Sequence, residues 1–352
     1  MSDYKVRAAT AEGDGHTIIE NASLQGRNTL RVPARTHLLI DVRKATALQE
    51  LFGYAMLKTQ PVLVLGEGSN ILFTRDWPGV VLSVTARGIT ILDENSERGR
   101  LRVEAGESWN DLVHWSLGHG FGGLENLVLI PGTVGAAPIQ NIGAYGVEVR
   151  EFIAAVEAWD RTRAQFVRLT NAECAFGYRD SVFKRERERY VVTAVEFELP
   201  RRHPLRIDYA GVREELATLG VSEPSALSVA EAVARIRTRK LPNPALIGNA
   251  GSFFKNPLVD HATAHALQHA HPGLPAWPAG DGRSKLSAAW LIETCGFKGQ
   301  RDGDAAVSDQ HALVLVNHGN ATGGQLWALA ERIRAGVRAR FGVEIEPEPL
   351  II

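Results

Sequence analysis

The sequence predicts an α+β protein built from two or three domains. Three observations point there. The chain has 352 residues, more than one hydrophobic core usually organises. Its first third opens with a β-α-β pattern. Its middle holds runs that alternate apolar and charged residues, as half-buried antiparallel strands do.

The elements follow in order. LLIDV, residues 38–42, is a short apolar run and a candidate strand. KATALQELFGYAMLKT follows, with Leu48, Leu51, Phe52 and Ala55 on one helical face. PVLVLG is a β-rich run that stops at Gly66, and VVLSV and LRVEAG predict further strands. Ser108 and Asp111 mark the start of a helix, WNDLVHWSLGHG. FIAAVEAW and QFVRLT flank a polar turn, as a hairpin would. Thr170 and Glu173 predict a boxed short helix ending near Gly177. In VVTAVEFELP, Val195, Phe197 and Leu199 alternate with Glu196 and Glu198. Ser228 and Glu231 predict a second boxed helix, SVAEAVARIRTRK, ending before Pro242. KLSAAWLIETCG is an apolar helix closed by Gly296, and HALVLVN a strand. QLWALAERIRAGVRARF keeps Leu326, Leu329, Ala330, Ile333 and Val337 in helical register.

Bulk properties exclude several classes. A formal net charge of -1 gives no basic excess for nucleic acid. No apolar run reaches the ~18 residues of a membrane helix. The polar start MSDYKVRAATAEGDGHTIIE shows no apolar signal-peptide core, and residues 1–21 are expected to form a loose tail. Cys174 and Cys295 stand far apart with no C-x-x-C, which argues against a disulfide scaffold and fits a reducing cytoplasm.

Two glycine-rich segments carry the first functional signal. LGEGSNILF, residues 65–73, directly follows a strand. LIPGTVGAAPIQNIGAYG, residues 129–146, holds four glycines and few charges. Glycines let backbone N–H groups turn toward one point, and such nests bind phosphate oxygens. Two of them suit a dinucleotide diphosphate; the plain alternative is a pair of ligand-free turns. Neither is a Rossmann loop, because Ile71 stands where the third glycine belongs. A formal G-x-G-x-x-G at Gly118, Gly120 and Gly123 follows a helix rather than a strand, and is expected to be a helix C-cap and turn.

Taken in order, LGEGSNILF, IPGTVGAAPIQNIGAYGVE, FGYRDSVFK and GNAGSFFKNP closely resemble the UDP-N-acetylenolpyruvoylglucosamine reductase family of the bacterial cell-wall pathway. The resemblance extends from about Asn28 to Pro349. GYRDS and the Y-A-G segment at Tyr209 resemble the longer of the family's two types. The resemblance implies an FAD-binding region of the vanillyl-alcohol-oxidase (PCMH) type in two subdomains, residues 22–200. It implies a connecting segment, 201–241, that contributes to the substrate site. An α+β substrate-binding domain would cover 242–342, and a tail, 343–352, would return to the flavin region. Cofactor contacts would come from Gly66, Glu67, Gly68, Ser69, Asn70, Gly132, Thr133, Gly135 and Gly143.

The implied reaction has two halves. NADPH, a co-substrate, reduces FAD. The flavin then passes a hydride to the terminal carbon of the enolpyruvyl ether, and a proton arrives at the neighbouring carbon to give UDP-N-acetylmuramate. Charge grows beside the substrate carboxylate, so the site needs a cation or acid there and a proton donor on the reacting face. By resemblance, Ser252 in GNAGSFFKNP is that donor. On spacing alone it is a turn-capping serine. Arg179 in GYRD would bind the carboxylate through a planar guanidinium; alone it reads as a surface arginine. Glu348, after Pro347, would be the third catalytic member, protonated and donating to the enolate oxygen. Its plain alternative is a solvated charge on a frayed end. Tyr145, Tyr209, Lys240 and Asn256 match substrate-contacting positions. Arg235, Arg237, Arg239 and Lys240 form a basic helix end. It suits a diphosphate, or simply complements the helix C-terminus.

Three departures from the family pattern stand out. Asn28-Thr29-Leu30-Arg31 replaces N-T-F-G, SDQH at 308–311 replaces a histidine and a glutamine, and PLII replaces an isoleucine–glycine pair after Glu348. His261, His265, His269 and His271 resemble a metal cluster, but no carboxylate completes an H-E-x-x-H site, and a solvated face is expected. Two rivals differ in kind. An O₂-using FAD oxidase often carries a histidine that attaches the flavin, and neither glycine segment has one. A nucleotide-binding regulatory module leaves Ser252, Arg179 and Glu348 without a shared purpose. A cytoplasmic monomer without metal, nucleic acid or membrane partner is expected.

Overall fold

The computed structural model describes residues 9–209 and 211–352. They divide into two units. The first gathers the chain up to Ala22, Thr36–Glu67 and Trp77–Arg237. The second gathers Ser23–Arg35, Gly68–Asp76 and Thr238–Ile352. The break between the units falls within the helix Ala226–Lys240, and two short early segments group with the C-terminal part.

The first unit holds two five-stranded sheets. One has the order Thr10–Gly13, His16–Ser23, Arg35–Val42, Trp77–Val84, Val62–Val64. Its last three strands are parallel. Val80 to Val84 are all buried, as expected of a parallel strand covered on both faces. The loose-tail expectation fails from Thr10 on. Thr10–Gly13 pairs antiparallel with His16–Ser23 around Gly15, whose φ of 80° suits glycine. The first strand is exposed and polar, so no apolar alternation announced it. The expected long helix after Val42 is two short ones, Ala47–Leu51 and Ala55–Thr59, broken at Gly53 and the extended Tyr54.

The second sheet is antiparallel throughout, in the order Gln165–Thr170, Ile153–Asp160, Tyr190–Pro200, Arg98–Glu104, Ile89–Glu94. Val195, Phe197 and Leu199 are fully buried, as their alternation predicts. Glu196 is buried too, held by Arg168 at 2.5 Å and Arg100 at 2.7 Å. Helix Trp109–Gly118 starts at the Ser108 cap and packs Trp109 against Phe197, ring centroids 6.1 Å apart. It ends at the formal glycine motif, where Gly120 turns at φ 74°. Thr170 and Glu173 do exchange hydrogen bonds, but only turns follow. The later helix starts at Ala226, and Ser225 and Ser228 cap one another, so Glu231 is free to pair with Arg235 instead.

The second unit is α+β in miniature. Gly248–Ser252, Val314–Asn317, Ala305–Val307 and Arg301–Asp302 form an antiparallel sheet. A three-stranded sheet joins Leu258–Asp260, Arg283–Leu286 and Ala276–Pro278. Helix Gly323–Phe341 is capped by a reciprocal Thr322–Gln325 box and closed by Gly342 at φ 66°. The terminal strand Leu350–Ile351 runs parallel to Ile71–Leu72. Among the described residues, no helix is long and apolar enough to cross a membrane.

Candidate active site

The two glycine segments are built differently. In the first, Gly66 stands against Thr133: a methyl group there would lie 2.8 Å from the threonine hydroxyl. Gly68 turns at φ 67° with the Arg27 carbonyl 2.1 Å from where a side chain would sit. Only glycine fits that approach. Ser69 and Asn70 follow, and the Asn70 amide donates to the Glu348 carbonyl at 3.2 Å. In the second segment, Gly132 donates its N–H to the Glu67 carboxylate at 3.0 Å, so Glu67 ties one glycine loop to the other. Val134 and Gly135 donate to the carbonyls of Glu107 and Ala105. A methyl group on Gly135 would stand 2.5 Å from Ala105, so this glycine serves close packing.

Downstream, the backbone is strained. Leu129, Asn141, Tyr145 and Arg179 all have positive φ, between 46° and 58°. Each such residue costs about 1–3 kcal/mol, and such costs gather at functional sites. Asn141 is fully buried and holds the segment together. It donates to the Glu148 carboxylate at 3.0 Å and the Gly177 carbonyl at 2.9 Å, and accepts from the Arg150 N–H at 3.1 Å. Arg179 sits on the turn Gly177–Asp180, which closes on itself by two backbone bonds. Its Nη2 donates to the Gly143 carbonyl at 2.6 Å. The structure thus joins three sequence-chosen positions, Gly143, Tyr145 and Arg179, in one small region of the first unit.

Tyr145 meets Tyr209 edge to face, centroids 5.4 Å apart. Burial raises the Tyr145 pKa, while Arg237 pulls it down. The Asn126 amide donates to the carbonyls of Tyr145 and Arg206 at 3.0 and 2.8 Å. Among the described residues, the enclosed Asn126 Oδ1 and Arg237 Nε meet no hydrogen-bond partner. An acceptor and a donor left open in a buried region, beside glycine segments, fit a polar ligand such as FAD. Sequence reasoning put Arg237 in a basic helix end and missed Asn126 altogether. The signal for Arg237 was its register, four residues after the buried Val233.

In the second unit, Ser252 ends the strand Gly248–Ser252 after a bulge at Gly251, whose φ is 66°. Asn249 Oδ1 accepts the Gly251 N–H at 3.0 Å and sets that bend. Phe253 and Phe254, buried and in edge-to-face contact with centroids 5.2 Å apart, follow the half-buried Ser252. The C-terminal segment runs antiparallel alongside. Phe254 bridges Pro347, Lys255 donates to Glu346, and the Glu348 N–H donates to the Phe253 carbonyl at 2.8 Å. Glu348 is therefore a backbone neighbour of the residue after Ser252. Glu346 instead pairs with Lys255 at 3.1 Å and is exposed. Asn256 Oδ1 caps the Ala288 N–H at 3.0 Å, and Lys240 is exposed at its helix end.

Sequence comparison decides the family. The family model described as FAD binding domain matches residues 36–170. The model described as UDP-N-acetylenolpyruvoylglucosamine reductase, C-terminal domain, matches 243–352. A UDP-N-acetylenolpyruvoylglucosamine reductase of Xanthomonas campestris pv. campestris (strain 8004) is 53% identical over 336 residues, 95% of this chain and 96% of that protein. One of Xylella fastidiosa (strain M12) is 53% identical over 333 residues, 94% of this chain and 95% of that protein. The chain belongs to the UDP-N-acetylenolpyruvoylglucosamine reductase family. A crystal structure of the Thermus caldophilus reductase aligns with a TM-score of 0.66 at 25% identity, covering 94% of this chain and 98% of that one. As a member of that family, the chain is an FAD oxidoreductase with the expected α+β class and flavin-binding region.

The departures have local explanations. Arg31 replaces the family's glycine yet keeps a left-handed φ of 55°, and its guanidinium bonds the Ala245 carbonyl. His311 is half-buried; burial lowers its pKa first, and Lys240 and Lys298 lower it further. His261, His265 and His269 lie exposed on helix His261–Ala270, and among the described residues no group of three side chains forms a metal site. Burial pushes the Cys174 thiol up to about 12, so it offers no nucleophile.

Proposed function

We propose that this enzyme reduces UDP-N-acetylglucosamine enolpyruvate to UDP-N-acetylmuramate with NADPH, in the cytoplasmic synthesis of peptidoglycan precursor. The reading is carried by one observation beyond family membership: GNAGSFFKNP and the PEPL tail run side by side, which makes Ser252 and Glu348 neighbours through Phe253. Bound FAD supplies the two-electron relay between NADPH and the alkene. Gly66, Glu67, Gly68, Ser69, Asn70, Gly132, Thr133, Gly135 and Gly143 are the residues that would hold it.

The chain's own side chains do the rest. Arg179 binds the substrate carboxylate and stabilises charge that grows there. Its grip on the Gly143 carbonyl fixes the guanidinium before substrate arrives. Ser252 Oγ–H gives its proton to the carbon next to the carboxylate. A hydroxyl is a weak acid, but that carbon is strongly basic once the alkene has gained a hydride. Glu348, protonated, donates a hydrogen bond to the carboxylate-derived oxygen. Tyr145, Tyr209, Lys240 and Asn256 contact the UDP-sugar; Lys240 supplies a point charge for the diphosphate.

An absorbance titration tests this. The purified protein should show a flavin spectrum that bleaches with anaerobic NADPH and returns with the UDP-linked enolpyruvyl sugar. A flavin that bleaches but recovers only with O₂ would point to an oxidase. A colourless protein that cannot take up FAD would overturn the reading of the glycine segments.

A further inference from the structure

The side chain of Arg179 is held by the bond from its Nη2 to the Gly143 carbonyl. Its backbone is held separately. A φ of 53° is a conformation that a residue with a side chain adopts only at a cost, so the surroundings must keep it there. Two backbone bonds close the turn Gly177–Asp180. The Gly177 N–H donates to the Asp180 carbonyl at 2.9 Å, and the Asp180 N–H donates to the Gly177 carbonyl at 3.2 Å. Neither bond uses an atom of Arg179. The Arg179 carbonyl instead accepts from Nζ of Lys184, at 2.8 Å in a partly buried contact.

The local fold brings Lys184 to that carbonyl. Ser181 caps the short helix Val182–Arg185. Its hydroxyl accepts the Lys184 N–H at 3.3 Å and donates to the Ile139 carbonyl at 2.5 Å. Ser181 is fully buried, so the helix is pinned to the second glycine segment. The next cation along, Arg185, is exposed and pairs with the Asp180 carboxylate. Lys184 is half-buried, and its ammonium is spent on a neutral carbonyl. A charged donor makes such a bond roughly twice as strong as a neutral one. The peptide it fixes is the one that leads out of Arg179. Fixing that carbonyl fixes the Arg179 ψ, and with it the direction in which the side chain leaves the backbone. A brace for the turn alone would need no such control.

We propose that Lys184 is a positioning residue for the substrate carboxylate. Its ammonium locks the peptide after Arg179, and the bond to Gly143 locks the far end of the same side chain. Held at both ends, the guanidinium is aimed before the anion arrives. A donor fixed in advance needs no reorganisation when charge develops beside it. Lys184 touches no substrate in this scheme and acts only through Arg179. The proposal rests on the role given to Arg179 above.

The test is a double-mutant cycle between Lys184 and Arg179. Its readout is the dissociation constant of the UDP-linked enolpyruvyl sugar on oxidised holoenzyme, followed by the change in the flavin spectrum. Lys184→Met removes the ammonium and keeps most of the stem. It should weaken substrate binding about tenfold, the scale of one lost charge-assisted bond. Lys184→Arg should recover much of the loss, because it can still donate to the carbonyl. In an Arg179→Met background, Lys184→Met should add less than about twofold, since the two residues act as one unit. If Lys184→Met does not fold, Lys184→Gln gives the same neutral comparison. A full loss in the Arg179→Met background overturns the proposal, because the ammonium would then meet the substrate itself. A lower melting temperature with unchanged substrate binding also overturns it, and leaves Lys184 as a brace of the turn. If Arg179→Met alone binds substrate as tightly as wild type, the role of Arg179 fails first and this proposal fails with it.

Discussion

Two regions carry the proposed catalytic side chains, and they hold them by opposite means. Ser252 and Glu348 rest on backbone pairing, Ser252 opposite Val314 beyond the Gly251 bulge and Glu348 through its N–H to the Phe253 carbonyl. Arg179 rests on strain, with a left-handed turn, a buried asparagine and a carbonyl grip all acting on it. The difference teaches where each can be damaged. A ladder positions a side chain whatever that side chain is, so substitution removes chemistry and leaves the fold. A strained turn depends on its supporting side chains, so damage nearby removes fold and chemistry together.

The sharpest way to separate them is Ser252→Ala. The backbone bonds through Phe253 do not use the serine hydroxyl, so the melting temperature should barely move. Flavin reduction by NADPH should stay near wild type. Reoxidation by the enolpyruvyl substrate should slow about 10²–10⁴-fold, the usual worth of a positioned acid. Ser252→Cys should retain more activity than alanine. Stopped-flow absorbance reads each half-reaction, and equal losses in both would contradict the proton-donor role.

Asn141→Ala should show the opposite pattern at smaller size. It strands the Arg150 N–H and the Glu148 and Gly177 oxygens in or near a buried space. Leaving buried polar groups unpaired costs about 1–3 kcal/mol, so a lower melting temperature is expected. Arg179 should lose its fixed turn, and KM for the enolpyruvyl substrate should rise. Normal stability with normal KM would break the contrast between the two regions.

How much of this was legible in the sequence follows the same division. The antiparallel sheet was readable because Val195, Phe197 and Leu199 alternate against one buried face. The hairpin at 10–23 was not, because its outer strand buries nothing and its polar composition imitates a tail. The bond from the Glu348 N–H to the Phe253 carbonyl was not legible, because it joins segments far apart in sequence. The local bonds of Glu67 and Gly135 were not legible: one holds Gly132, the other abuts Ala105. Such roles depend on segments distant in sequence, which no local pattern encodes. The same holds for Asn126, whose amide donates to the carbonyls of Tyr145 and Arg206.

The smallest expected effect tests His311, in the SDQH segment. His311 accepts the Leu313 N–H on Nδ1 at 3.3 Å, so its ring is neutral with the proton on Nε2. Burial disfavours its charged form; Lys240 and Lys298 add to that, and Glu293 opposes it. The folded-state pKa therefore lies below the ordinary 6.5. As pH falls through that ordinary value, the unfolded chain takes the proton first, so stability present above it is lost on acidification. His311→Gln cannot titrate and should flatten this part of the slope. Melting temperatures on either side of the ordinary histidine pKa, compared between the two proteins, read the difference. An identical slope would mean that the ring protonates as readily in the folded state as in the unfolded one, against the lowered pKa.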